Sequence, residues 1–276
     1  MMVRMNTGAL FALILILAAG SAHSREQVKP KSENPKAQDL IDRAWEVVAL
    51  DLTIETADKA IGYLEDAKKI DPDNPEILVA LADECWQRGD LMPGKEKEDY
   101  EARNVYFNKG LEAADKALSL KETAGAHYWH CANLASSYEN RSVFAQAGIF
   151  LDLNKHMNWI EENDITYLYG GYARFWGQVL SRIPDIVIKL TGQDPDQVYE
   201  QLENAIRIEP RYLLNYAYQG EFLHRMGDDE KALTALKKII EADPGIFPEE
   251  IAKNKLAQKR ARENWKDFTG KDYPAR

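Results

Sequence analysis

Two segments near the C-terminus close on prolines 34 residues apart: QVYEQLENAIRIEP ends at Pro210 and KALTALKKIIEADP at Pro244. Val198, Leu202 and Ala205 of the first align with Ala232, Leu236 and Ile239 of the second. Between them, LNYAYQGEFLHRMGDDE places Tyr216, Gly220, Leu223 and Gly227 at the spacing of the first helix of a pair. A period of this length confines the chain to stacked helix pairs. One pair cannot bury its apolar face alone and must be covered by the next.

The same frame fits the N-terminal part, where Ala60, Leu64, Ala67 and Pro72 take the second-helix positions. Leu78, Leu81, Ala82, Cys85 and Gly89 then follow as the next first helix. This is the pattern of a tetratricopeptide (TPR) repeat. Small alanines let paired helices approach closely, and proline ends the second helix because it cannot continue one. QRGD at 87–90 and RMGD at 225–228 share one repeat position, which predicts a left-handed glycine at the end of each first helix.

From Gly89 to Ala117 the frame is stretched to 28 residues, with the surplus in LMPGKEKEDYEARNVYF as a loop and added helical turns. A further first helix starts near Ala124. Residues 143–183 leave the frame but stay helical in pattern, with Ser142 as cap of one helix, VFAQAGIFLDLNKHMNWIEEN. Asp194-Pro195-Asp196-Gln197 reads as a helix start. The last segment reads as an amphipathic helix that closes the stack, with Ala257, Ala261, Trp265 and Phe268 inward. No run alternates like a strand. The fold class is all-α: a TPR-like helical repeat solenoid with an irregular helical middle section.

Arg4 followed by the apolar run Ala9–Ala19 and the small residues Gly20-Ser21-Ala22 and Ala22-His23-Ser24 has the form of a secretory signal peptide. The run is too short to span a bilayer, which needs about 20 residues. The expected organisation is therefore a signal peptide over 1–24, a flexible leader over 25–38 and a single TPR-like domain over 39–276. The mature chain is expected soluble in the periplasm, with no cysteine after the apolar run to acylate. Cys85 and Cys131 sit within helical apolar patterns, so a bridge and two buried thiols remain alternatives.

With a net charge of −10, the chain is a poor partner for nucleic acid or anionic lipid. It carries no P-loop, GxSxG, HExxH or CxxC, and no catalytic pair can be singled out. No enzyme activity, cofactor or metal site is expected. His127 and His130 lie three apart on a predicted helix, but zinc would need further ligands and none is evident nearby in sequence. One segment departs from plain scaffold: YLYGGYARFWGQVLSRIPD, residues 167–185. Gly170-Gly171 would open a helix with Tyr172, Phe175, Trp176, Val179 and Ile183 on one face and Arg174, Gly177, Gln178 and Ser181 on the other. A mid-helix glycine costs about 1 kcal/mol relative to alanine, which points to close approach by a backbone or a ligand. Asn133, disfavoured inside a helix without a partner, lies near Trp129. Trp129, Asn133, Gly170, Gly171, Arg174, Gly177 and Gln178 form the candidate lining of a ligand or partner cleft; a tight helix crossing is the alternative.

HYWHCANLA, YGGYARFWGQVLSRIPD and ENAIRIEPRYLLNYAYQGEFLHRMGDDEKALTALKKIIEADP together resemble the T component of TRAP (tripartite ATP-independent periplasmic) transporters, over roughly residues 40–247. The double glycine with Arg174, Gly177 and Pro184 is the most specific part. The resemblance implies a non-catalytic periplasmic helical protein with an apolar pore or cleft for a hydrophobic or organic-acid ligand. It also implies association with the solute-binding component in a multimeric complex, with room for a homo-oligomer. Members of the family are often lipoproteins, and this chain departs from them in lacking the cysteine. A general periplasmic TPR scaffold for protein–protein contact is the competing reading.

Overall fold

The computed structural model describes residues 29–183, 188 and 194–274. The signal-peptide reading, and the first four residues of the expected leader, lie outside them. Among the described residues there are twelve α-helices and no strand: α1 (Pro35–Val48), α2 (Ile54–Ile70), α3 (Pro75–Asp90), α4 (Lys97–Leu120), α5 (Ala124–Ser137), α6 (Val143–Gly148), α7 (Phe150–Asn163), α8 (Tyr167–Arg182), α9 (Pro195–Ile208), α10 (Leu214–Arg225), α11 (Asp229–Glu241) and α12 (Ile251–Thr269). No helix of the described residues is long and apolar enough to cross a membrane.

The starts are written locally. Asn34, Thr53, Asn74, Thr123, Ser142, Asp194 and Asp228 each cap the following helix with a side-chain oxygen that accepts a backbone N–H. Pro35, Pro75 and Pro195 stand at first helical positions, where a missing N–H is no loss. The repeat positions are core: Ala60, Leu64, Ala67, Val198, Leu202, Ala205, Ala232, Leu236 and Ile239 are each at most 3% exposed. Consecutive helices pack on one another, α1 on α2, α3 on α4, α4 on α5 and α10 on α11.

Three expectations change, and the cysteine alternatives resolve. Residues 29–34 are not free leader: Lys29 pairs with Asp42, the Lys31 N–H donates to Glu76, and the Ser32 hydroxyl donates to Asp71. The helix after Ser142 breaks at Ile149 into α6 and α7. Gly227 is left-handed, with φ 84°, but Gly89 lies inside α3. A Cβ on Gly89 would strike the Phe107 ring, so glycine is needed there for close approach of α4 and not for its φ. α3 runs one residue past Gly89, to Asp90, whereas α10 ends at Arg225, before Gly227. Cys85 and Cys131 are both buried free thiols.

The last helix does more than close a stack. α12 packs against α10 and α11 and also returns to the start of the chain. Lys255 Nζ donates to the Leu50 carbonyl at 2.9 Å, and Arg260 pairs with Asp90 at the end of α3. The helix series thus curls until its two ends meet, with α8 in the interior against α5, α7, α9 and α10.

Candidate functional site

α8 begins with a left-handed turn. Leu168 (φ 48°), Tyr169 (φ 58°) and Gly170 (φ 90°) all have positive φ, and regular helix resumes after them. For leucine and tyrosine this conformation costs roughly 1–2 kcal/mol each, so the surroundings must hold it. They do so through one carbonyl. Tyr169 O accepts from Arg174 Nη1 at 3.0 Å and from Asn215 Nδ2 at 3.1 Å. Arg174 Nη1 also donates to Asn215 Oδ1 at 2.8 Å, and its guanidinium lies over the Tyr212 ring at 4.8 Å. Gly170 meets Ala205 of α9, where a Cβ would come within 2.8 Å of the Ala205 backbone. The double glycine therefore opens the helix, as the sequence indicates, through an unusual turn that pins α8 to α9 and α10.

The remaining candidate residues fall into two groups. Asn133 is fully buried, and its Nδ2 donates to the carbonyls of Ala82 (3.1 Å) and Trp129 (2.8 Å), which ties α5 to α3. Gly177 faces Leu202, and Gly171 faces Tyr128. With Arg174 and Gly170, these residues sit in helix crossings. The two-faced pattern expected for 172–183 gives way to complete burial from Leu168 to Gly177, because neighbours surround that stretch on every side. Trp129 and Gln178 instead line cavities. Trp129, with Trp45, Tyr167, Val79 and Lys121, borders one of about 730 Å³ between α1, α3 and α5. Gln178 borders a smaller one of about 90 Å³, walled by Trp86, Tyr128, Phe150, Leu153 and Phe175, with Glu139 and Arg182 also on it. The two lie back to back across an aromatic partition, in which the Trp129 ring is 5.7 Å from Trp86 and 4.9 Å from Tyr128.

Arg174→Gln tests what the clamp does. The notable feature is a buried guanidinium with carbonyl, amide and ring partners, and no carboxylate at ion-pair distance among the described residues. A hydrogen bond to a charged group contributes about 1.5–3 kcal/mol, less than a buried ion pair. The variant should lose stability in that range while remaining helical by circular dichroism. A melt identical to wild type would remove Arg174 from the clamp.

Sequence reasoning passed over two features. Asn215 is the partner that makes the clamp, and its only sequence signal is a polar amide in a first turn shared with Leu214, Tyr216 and Ala217. The second is a histidine cluster between α5 and α7. His130 Nδ1 is 2.7 Å from Asp115 Oδ1 of α4, and its Nε2 is 3.0 Å from Asp152 Oδ2. His156 Nε2 is 3.4 Å from Asp152 Oδ1, and its Nδ1 is 2.7 Å from His127 Nδ1. His127 also stacks on Trp159. Burial, then the neighbouring His156 and His130, push His127 down to about 4. Burial and His130 do the same to His156, to about 4, against the pull of Asp152. Both rings are therefore neutral at neutral pH. The spacing Asp152-x-x-x-His156, one helical turn, was the available signal beside His127-x-x-His130.

Over residues 94–267 the chain matches the family described as TRAP transporter T-component. Among curated proteins none matches. The matched span holds the left-handed turn, its clamp, the histidine cluster and most of the aromatic partition. α1 to α3, which supply the far wall of the larger cavity, precede it.

Proposed function

This chain belongs to the TRAP transporter T-component family, since the match covers well over half of it, and from that premise we propose a non-catalytic accessory subunit, exported to the periplasm. In this reading it is a TPR-like stack that associates with the solute-binding component and holds a hydrophobic or organic-acid ligand. The observation that carries the ligand half is the aromatic partition of Trp86, Tyr128, Trp129 and Tyr167 with a cavity on each side. A space of about 730 Å³ is of the size that binds small organic molecules. Its lining mixes Lys29, Lys31 and Lys121 with Glu76, Asp83 and Glu84; in this reading the lysines would meet an acid group, and Trp129 and Tyr167 offer apolar faces. Gln178 and Arg182 would serve the smaller cavity in the same way.

The partner half draws support from surface chemistry. Phe144 of α6 and Leu151 of α7 are 88% and 83% exposed, and large apolar groups gain by being covered on association. Their replacement disturbs no core contact. The test is recovery from a periplasmic extract with the mature chain as bait. Wild type should retain a TRAP solute-binding protein, identified by mass spectrometry, and Phe144→Ser with Leu151→Ser should retain several-fold less at an unchanged melting temperature. Equal recovery by both would move the interface elsewhere. Recovery of unrelated envelope proteins without the solute-binding component would favour the general scaffold.

A further inference from the structure

We propose that His130, Asp152 and His156 form a binding site for a divalent transition-metal ion, of which zinc is the natural probe. The three side chains come from two helices, and their ligand atoms all lie within 4.8 Å of one another. Ligands about 2.1 Å from a tetrahedral ion stand roughly 3.4 Å apart. Each ring nitrogen faces its own oxygen of the one carboxylate at about that spacing: His130 Nε2 to Asp152 Oδ2 is 3.0 Å, and His156 Nε2 to Asp152 Oδ1 is 3.4 Å. Two imidazoles and one carboxylate make the donor set that zinc and its neighbours take, with a further position open to solvent. Asp152 is the open side, with its side chain 46% exposed, and the two histidines are the buried side.

The far nitrogens of both rings are already held, as those of metal-bound histidines are. His130 Nδ1 faces the Asp115 carboxylate at 2.7 Å, and in the tautomer that donates to Asp115 the Nε2 lone pair is turned toward Asp152. A lone pair facing a carboxylate oxygen at 3.0 Å requires a cation between them, either a proton or a metal. His156 has the same arrangement when its Nδ1–H donates to His127 Nδ1, which leaves its Nε2 lone pair on Asp152.

A second observation comes from His127. Its side chain is only 3% exposed, and its Nε2 is buried without a hydrogen-bond partner, with Glu122 no nearer than 3.8 Å. Whichever tautomer His127 adopts, that nitrogen stays unsatisfied, a cost of about 1–3 kcal/mol. A histidine placed there to orient a ligand accounts for what a core position does not. The rings of His130 and His156 stack with centroids 4.2 Å apart, so an ion must splay them about their χ2 torsions, which are broad. Occupied, the site would pin α5 to α7, the two helices that supply Ala132 and Leu153 to the smaller cavity.

The experiment uses untagged mature chain, stripped with chelator and titrated with zinc against a chromophoric competitor, and then with cobalt(II). The expected result is one equivalent bound at micromolar affinity or tighter, with the visible d–d absorption of four-coordinate cobalt. Asp152→Asn, at a half-exposed position that leaves the core intact, should abolish both. Asp115→Asn, which removes only the carboxylate behind His130, should weaken zinc by roughly tenfold to 100-fold. His224→Gln, at a histidine outside the cluster, should bind as wild type does. If wild type takes up no zinc under these conditions, the contacts of His130 with Asp115 and Asp152 are hydrogen bonds only and the proposal fails. It fails equally if Asp152→Asn binds like wild type.

Discussion

Gly170→Val should lower stability by about 2–5 kcal/mol, roughly 10 °C in melting temperature for a chain of this size. Two independent effects add. The backbone at Gly170 has φ 90°, which a β-branched residue cannot adopt without strain. The new Cβ would also lie 2.4 Å from the Ala205 Cβ and 2.8 Å from its Cα, and those atoms belong to α9, which cannot rotate away. A long flexible neighbour would swing aside; a helix backbone must move as a body. Gly148→Ala supplies the contrast, because a Cβ there meets nothing within 4 Å, and its melt should stay within about 0.5 kcal/mol of wild type. Equal melts for Gly170→Val and wild type would show that the left-handed turn does not form.

How much of this was legible follows from the range over which each feature is determined. Helix starts were legible because a cap is written within four residues, as at Asp194-Pro195. Buried repeat positions were legible because a period of 34 recurs. Gly89 and Gly227 stand at one repeat position, yet only Gly227 is left-handed, since the glycine at 89 answers to Phe107 eighteen residues away. The same limit applies to Arg174. Its place beside glycine on a helix was plain, but its partners are a carbonyl in a left-handed turn and an asparagine 41 residues on. Neither leaves a periodic signal. The histidine cluster is the clearest instance. His127 and His130 stand three apart in sequence, but Asp152 and His156 come from another helix, whose packing against α5 no local pattern announces.

The strained turn and the buried asparagines describe one device. Asn133, Asn215 and Asn254 are all fully buried, and the Nδ2 of each donates to a main-chain carbonyl of another element. Repeat packing by small and apolar side chains tolerates sliding, because one alanine contact resembles the next. A buried amide does not tolerate it, since a shift of one residue leaves donors unpaired at about 1–3 kcal/mol. These three positions fix register where the repeat pattern alone would leave it open. They also fix the relative placement of α3, α5, α8 and α10, on which the aromatic partition depends.

Asp90→Asn should lose about 3–5 kcal/mol, because it leaves Arg260 buried without its counter-charge. Asp90 ends α3 and Arg260 lies on α12, so this pair joins the two ends of the helix series. Asp90 and the Arg260 side chain are both largely buried. Burial alone pushes the Asp90 carboxyl up, yet Arg260, Arg182, the Arg260 hydrogen bond and Arg103 together outweigh it and hold it below 3.8. The sign of the linkage follows. A carboxyl with a depressed native pKa stabilises fully above its unfolded value of 3.8, and the gain is lost as pH falls through the still lower native value. The stability gap between wild type and Asp90→Asn should thus be flat from neutral pH down to about pH 5 and shrink below 3.8. Replacing both partners with apolar residues, Asp90→Leu with Arg260→Met, should recover much of the loss, since it removes two desolvated charges together. Chemical denaturation at several pH values measures all three. A gap that persists unchanged at pH 3 would show that the loss in Asp90→Asn comes from packing and not from charge.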